Sequence, residues 1–201
     1  MRRAMVIVGV QNDFAPGGAA ELPRGDAIAG PVSFLANTVE NAGGLIVAVR
    51  EWHSDHAAYF QGHGGDLAPF CVAGTRGAAF QQDLHLSRKA RFVFRSGDPR
   101  EIGPSAFRAV DRHGHSLAQL LADAGITHVF LAGVATEREI LATALGALQR
   151  GLEVSIVQDA VAPIDPRAGD EALTRLRIAG AEVVSSGQAI MALFSSGEAR
   201  L

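Results

Sequence analysis

Short runs of consecutive apolar residues alternate with longer amphipathic stretches along nearly the whole chain. That alternation constrains the fold more than any other feature. Ala4-Met5-Val6-Ile7-Val8-Gly9-Val10 and Leu45-Ile46-Val47-Ala48-Val49 are apolar at every position. A strand needs that pattern when both of its faces are covered. Arg91-Phe92-Val93-Phe94-Arg95, the run His128 to Val134, Glu153 to Val157 and Glu182 to Ser185 supply four more candidate strands. Between them, helices are predicted over about Asp26 to Ala42, Ser116 to Ala124, Thr136 to Arg150 and Pro166 to Ala179. Gly125, Gly151 and Gly180 stand where the last three would end. Strands and helices in this order predict an α/β chain with a parallel sheet sandwiched between helical layers. The 201 residues contain no internal repeat, low-complexity tract or linker, so one domain over 1–201 is expected.

Composition removes several functional classes. Eighteen Lys+Arg against 21 Asp+Glu give a formal charge of −3, too balanced for a nucleic-acid footprint. No run approaches the roughly 18 apolar residues of a membrane span. The apolar segment after Met1-Arg2-Arg3 ends after seven residues in Gln11-Asn12-Asp13, without a small-residue cleavage site. A soluble, cytoplasmic protein is expected. The lone cysteine, Cys71, excludes an internal disulfide framework and a Cys-x-x-Cys metal site.

Ligands of open parallel sheets bind beyond the carboxyl ends of the strands. The residues to examine are therefore Gly9 to Phe14, Arg50 to His56, Arg95 to Gly97 and Gly133 to Glu139, together with the glycine- and histidine-rich stretch from about Trp52 to Ala90. A stretch of that length without clear periodicity is commonly functional. Gly62-His63-Gly64-Gly65 lacks the Lys-Ser/Thr of a phosphate loop, and His113-Gly114-His115 reads as an exposed turn.

Those segments carry a specific likeness. Val8-Gly9-Val10-Gln11-Asn12-Asp13-Phe14, Arg50-Glu51-Trp52-His53 with Asp55-His56, and Phe70-Cys71-Val72-Ala73-Gly74-Thr75 follow one another in order. Ser105-Ala106-Phe107, Gly133-Val134-Ala135-Thr136 and Gln158-Asp159-Ala160 continue the series. Together they resemble the nicotinamidase/isochorismatase-like cysteine hydrolases over about Ala4 to Ser185. The resemblance implies a three-layer α/β/α fold with a six-stranded parallel sheet, a small-molecule ligand, and assembly into a homo-oligomer such as a dimer or tetramer.

The resemblance also implies an aspartate base, a lysine and a cysteine nucleophile, and this chain differs at all three places. Gly9 stands for the aspartate, Arg95 for the lysine and Glu139 for the cysteine. Thiol acyl transfer needs a sulfur that becomes a thiolate and a group to take its proton. Glycine accepts no proton, and a carboxylate attacks amides poorly. Cys71 matches a different family cysteine. A buried arginine cannot shed its proton, so an ion pair between Arg95 and Glu139 at the pocket floor is expected. That pair reads either as a structural filling of the old centre or as a repurposed site. In the second case Arg95 binds an anion and Glu139 serves as acid or base.

The expected activity is accordingly a pseudoenzyme that binds a small molecule or serves as a scaffold or regulatory subunit. The alternative is a repurposed enzyme acting without a thiol on a small, anionic substrate. An open cavity favours a binder or an enzyme, and a side-chain plug favours a scaffold. Phe14 and Trp52 are candidates for an aromatic slot. Val134 and Ala135 match the place where relatives carry a cis peptide whose N–H groups form an oxyanion hole. Asp13 is expected to hold its turn through backbone hydrogen bonds. Family members bind zinc, iron or manganese, for which Glu51 and His53 remain, with His56 or His63 as a stand-in third ligand. Phe70 replaces a later histidine. No cofactor is expected beyond Zn or Fe at that altered site.

Overall fold

A computed structural model of the chain describes residues 2–97 and 104–195. Six strands are present: β1 (Arg3–Val8), β2 (Leu45–Glu51), β3 (Arg91–Arg95), β4 (His128–Val134), β5 (Glu153–Ala162) and β6 (Glu182–Val184). They form one parallel sheet in the order β3-β2-β1-β4-β5-β6. The helices are α1 (Ala29–Asn41), α2 (Leu117–Asp123), α3 (Leu141–Leu148), α4 (Pro166–Ile178) and α5 (Ser186–Ser195). All six expected strands form, and β5 runs five residues longer than its apolar run. α5 lies beyond the last element read from the sequence.

The central strands are buried on both faces, and their two-residue period divides the side chains between two cores. Met5 and Ile7 join Ile46, Ala48, Phe130 and Ala132 beneath α1 and α5. Ala4, Val6 and Val8 join Val47, Val49, Val129 and Leu131 beneath α2, α3 and α4. Local chemistry fixes the helix ends. Ser116 and Gln119 form a reciprocal capping box at α2, and Asp165 caps α4 ahead of Pro166. The stretch between β2 and β3 forms no helix and is tied down by isolated bridges, including His53 with Val72 and Gln11 with Phe80. Among the described residues no helix is long and apolar enough to cross a membrane.

The strand order reverses between β1 and β4. Crossovers leave β1 on one side and β4 on the other, opening a crevice at the carboxyl ends of these strands. Val8 pairs with Gly133 in register there. A β-carbon at Gly133 would fall 1.9 Å from the Val8 carbonyl oxygen, so only glycine permits this approach.

Candidate active-site cavity

Each strand bordering the crevice delivers a different group. β1 is followed directly by Gly9, whose φ is +65°. An added β-carbon would stand 3.2 Å from both Cγ2 and the carbonyl oxygen of Val134. The backbone here is left-handed as well as lacking a carboxylate. The chain then turns through a short 3-10 helix, Asn12–Phe14, that places the Phe14 ring over the crevice. Asp13 holds that turn as expected: Oδ2 accepts the Cys71 N–H at 2.6 Å and Oδ1 the Ala19 N–H at 3.3 Å. A β-carbon at Gly77 would collide with the same carboxylate.

β4 ends in the Val134–Ala135 peptide, which is cis. A π-helical turn, Thr136–Ile140, follows directly. Within that turn Glu139 lies back at the end of the strand, where the Ala135 N–H donates to Glu139 Oε2 at 3.1 Å. The carboxylate thus sits on an amide that the family resemblance assigns to the oxyanion hole. The Glu139 side chain is 13% exposed. Burial, followed by the charge of Glu51, raises its pKa, and the Ala135 N–H, Arg138 and Arg95 oppose that shift only in part.

Arg95 does not take Glu139 as its main partner. Its Nε donates to Glu51 Oε1 at 2.6 Å and its Nη2 to Glu51 Oε2 at 2.5 Å, a two-pronged pair buried at both ends. Glu139 Oε1 lies 3.9 Å from Arg95 Nη2. The expected Arg95–Glu139 pair is therefore a secondary contact. The reason lies in sheet register: Glu51 and Arg95 are directly paired residues on neighbouring strands, and planar guanidinium and carboxylate meet without bending either backbone. Gln11 fixes Glu51 from below, donating to its carbonyl at 2.8 Å and accepting its N–H at 2.7 Å.

That pairing also decides the fit of a metal. A divalent ion needs three or more donors with lone pairs directed at one point. Both Glu51 oxygens already accept from Arg95. His53 Nδ1 is hydrogen-bonded to the Tyr59 hydroxyl at 2.8 Å. Nε2 is buried without a hydrogen-bond partner, 3.3 Å from Glu51 Oε2. The Phe70 ring packs against the imidazole with centroids 4.9 Å apart, in the place that the resemblance gives to a ligand. His56 points away, its side chain 77% exposed beside Asp55, and its ring lies against His63. Among the described residues no three His, Cys, Asp or Glu side chains converge on a metal position. The donors present do not fit the family's ion.

The remaining space is a cavity of about 270 Å³. Its floor is Glu51, Arg95 and Glu139, and its walls include Phe14, Phe70, Leu22 and Leu67. Ala135 and Arg138 also face it, whereas Val134 packs into the core beside it. Trp52 lies elsewhere: it meets Phe94 edge-on at 5.4 Å, and its backbone N–H donates to the Arg95 carbonyl. Strand alternation sends Trp52 to the face opposite Glu51 and His53. The aromatic partner of Phe14 is instead Phe70, with centroids 6.0 Å apart. A larger groove of about 680 Å³ runs between α1 and residues 83–87, away from the strand ends.

Thiol chemistry finds no support in this cavity. Cys71 is fully buried beside the cavity wall, and burial together with the charges of Glu51 and Asp13 pushes its pKa up. The Glu139 carboxyl and the guanidinium of Arg138 line the cavity beside Arg95 and Glu51, which neutralise each other. Sequence reasoning missed Phe70 as a wall, Arg138, and the Glu51–Arg95 pair. Period-two alternation through Arg50-Glu51-Trp52-His53 was the available signal for the pair and for the position of Trp52.

Comparison with known proteins agrees with this architecture. A family model described as the isochorismatase domain matches residues 3–188. The nicotinamidase/pyrazinamidase of Mycobacterium tuberculosis is 31% identical over 188 residues, covering 92% of this chain and 99% of that protein. Among solved structures, the pyrazinamidase of Pyrococcus horikoshii in complex with zinc superposes with a TM-score of 0.82 at 35% identity, covering 92% and 99% of the two chains. An L. infantum protein in complex with nicotinate gives 0.77 at 30% identity, covering 92% and 93%. The chain belongs to the isochorismatase domain family.

Proposed function

We propose that this protein is a pseudoenzyme of its family that binds a compact planar molecule in the 270 Å³ cavity without hydrolysing amides through a thiol. The observation that carries this reading is the position of Glu139. Its carboxylate stands where the resemblance puts the nucleophile and occupies the Ala135 N–H that would otherwise receive a developing oxyanion. Phe14 and Phe70 offer ring faces, and Glu139 with Arg138 offers polar anchors. Solved relatives hold nicotinate and zinc. The first is a fitting probe for this cavity, and the second has no matching donor set here.

The test is ammonia release from nicotinamide and pyrazinamide by the purified chain. Rates at the buffer level, unchanged by Glu139→Ala, are expected. Sustained turnover abolished by Glu139→Ala overturns the reading.

A second reading is favoured by the raised pKa of Glu139. A buried carboxyl that holds its proton to higher pH than a free glutamate suits general acid chemistry on an ester or vinyl ether. Activity of that kind falls as pH rises through the Glu139 pKa, a profile that a pure binder lacks.

A further inference from the structure

A second concentration of charge lies at the outer edge of the sheet. β3 is the edge strand, and near its end Phe94 exchanges two backbone hydrogen bonds with Val110. Beside that bridge is a cavity of about 470 Å³, within the size range of small-molecule sites. Arg50, Arg88, Arg91 and Arg112 all line it, and among the described residues the only carboxylate in its lining is Asp111. Asp111 is already engaged: it accepts the backbone N–H groups of His113 and His115 and the His115 imidazole.

Arg50 is the most telling of these cations. It is half-buried, and its guanidinium carbon sits 4.1 Å from the Phe80 ring centroid, with Phe92 at 5.8 Å and Trp52 at 6.0 Å. The rings fix the plane of the fork. Among the described residues none of the four arginines has a carboxylate partner, and the Arg50 Nε is buried without any hydrogen bond. Burial lowers the Arg50 pKa. An arginine keeps its proton in a protein, so a half-desolvated guanidinium gains most from an anion supplied from outside. Arg95, one face away, has such an anion in Glu51; Arg50 has aromatic rings only.

We infer that this edge cavity binds a small molecule carrying a diphosphate or longer phosphate chain. Among the described residues, four guanidinium groups against one engaged carboxylate leave an excess that a singly charged anion does not balance. Guanidinium forks match phosphate oxygens in pairs. Phe92, 38% exposed, gives a ring carried by the phosphates a surface to rest on. The inference is independent of what the crevice cavity binds.

Titration calorimetry of the full chain with inorganic pyrophosphate and with ADP tests it. Saturable binding that weakens as salt is raised is expected from either probe, and tighter binding of ADP assigns the ring to the Phe92 surface. Arg88→Ala and Arg91→Ala change exposed side chains, and each should weaken pyrophosphate binding about tenfold. Absence of saturable binding by both probes overturns the inference. So does binding that the double variant leaves unchanged while its melting temperature matches the wild type.

Discussion

The two faces of the β2–β3 strand ends make opposite use of an arginine. On the crevice face Arg95 is locked to Glu51 by two short hydrogen bonds, and the charge is cancelled inside the protein. On the other face Arg50, the neighbour of Glu51 in sequence, lies over Phe80, and among the described residues no carboxylate pairs with it. Strands that alternate direction at every residue place these two environments a single peptide apart. The contrast teaches that a cation at a strand end does not by itself mark an anion site. What matters is whether the register supplies its counter-charge.

The largest expected effect comes from breaking the internal pair. Glu51→Gln leaves the Arg95 charge buried without its partner and should cost about 3–5 kcal/mol of stability. At about 2–4 °C per kcal/mol for a chain of this size, thermal unfolding reads that loss directly. Arg50→Met, which removes a cation with no partner to strand, should shift the melting temperature far less. Equal losses from the two substitutions would erase the contrast between the faces. Glu51→Leu combined with Arg95→Met should recover most of the stability, because the cost lies in the stranded charge and not in the missing bond.

Next in size is Gly9→Asp. Returning a carboxylate to the end of β1 forces a left-handed φ on a residue with a β-carbon and crowds the Val134 carbonyl. A loss of about 1–2 kcal/mol is expected in chemical denaturation, with no gain in ammonia release. A stable variant with new amidase activity would show that the aspartate alone had been missing.

Glu139→Gln gives a smaller, pH-dependent effect. The folded-state pKa of Glu139 is raised, so between the unfolded and folded pKa values the native state holds more protons than the unfolded chain. The cost of ionising this buried group is fully present above its folded pKa and is relieved as pH falls through it. Glu139→Gln should therefore raise the melting temperature above the folded-state pKa of Glu139, with the gain shrinking as pH falls through that pKa towards the range of a free carboxyl. A gain that grows on acidification would reverse the sign of the argument. The smallest effect is expected from chelator: EDTA should leave the melting temperature unchanged, since Glu51, His53 and His56 do not converge. Near-stoichiometric zinc or iron in purified protein would contradict that reading of the donors.

Much of this molecule was legible in its sequence because the signals were local. Short apolar-rich runs identified all six strands, two of them apolar at every position, and the glycines at 125, 151 and 180 marked helix ends that depend on backbone conformation alone. α5 was not read, although Ser185-Ser186-Gly187-Gln188 separates β6 from the apolar run that begins at Ala189. Gly9, Arg95 and Glu139 were placed at the crevice by motif order. Their relations were not legible, because a parallel neighbour is set by crossover topology and not by sequence distance. Glu51 and Arg95 are 44 residues apart and meet only through the β2–β3 register. Trp52 was grouped with Phe14 on the family resemblance, whereas strand alternation carries it to the opposite face beside Phe94.

A nuclear magnetic resonance experiment on the intact protein with nicotinamide bears most directly on the crevice, because one sample reports both contact and chemistry. Saturation transfer from protein to the ring protons, with the amide intact throughout, is the predicted result. Accumulation of nicotinate beyond one equivalent of protein would contradict it, and would mean that the carboxylate on the Ala135 amide does not stop the reaction.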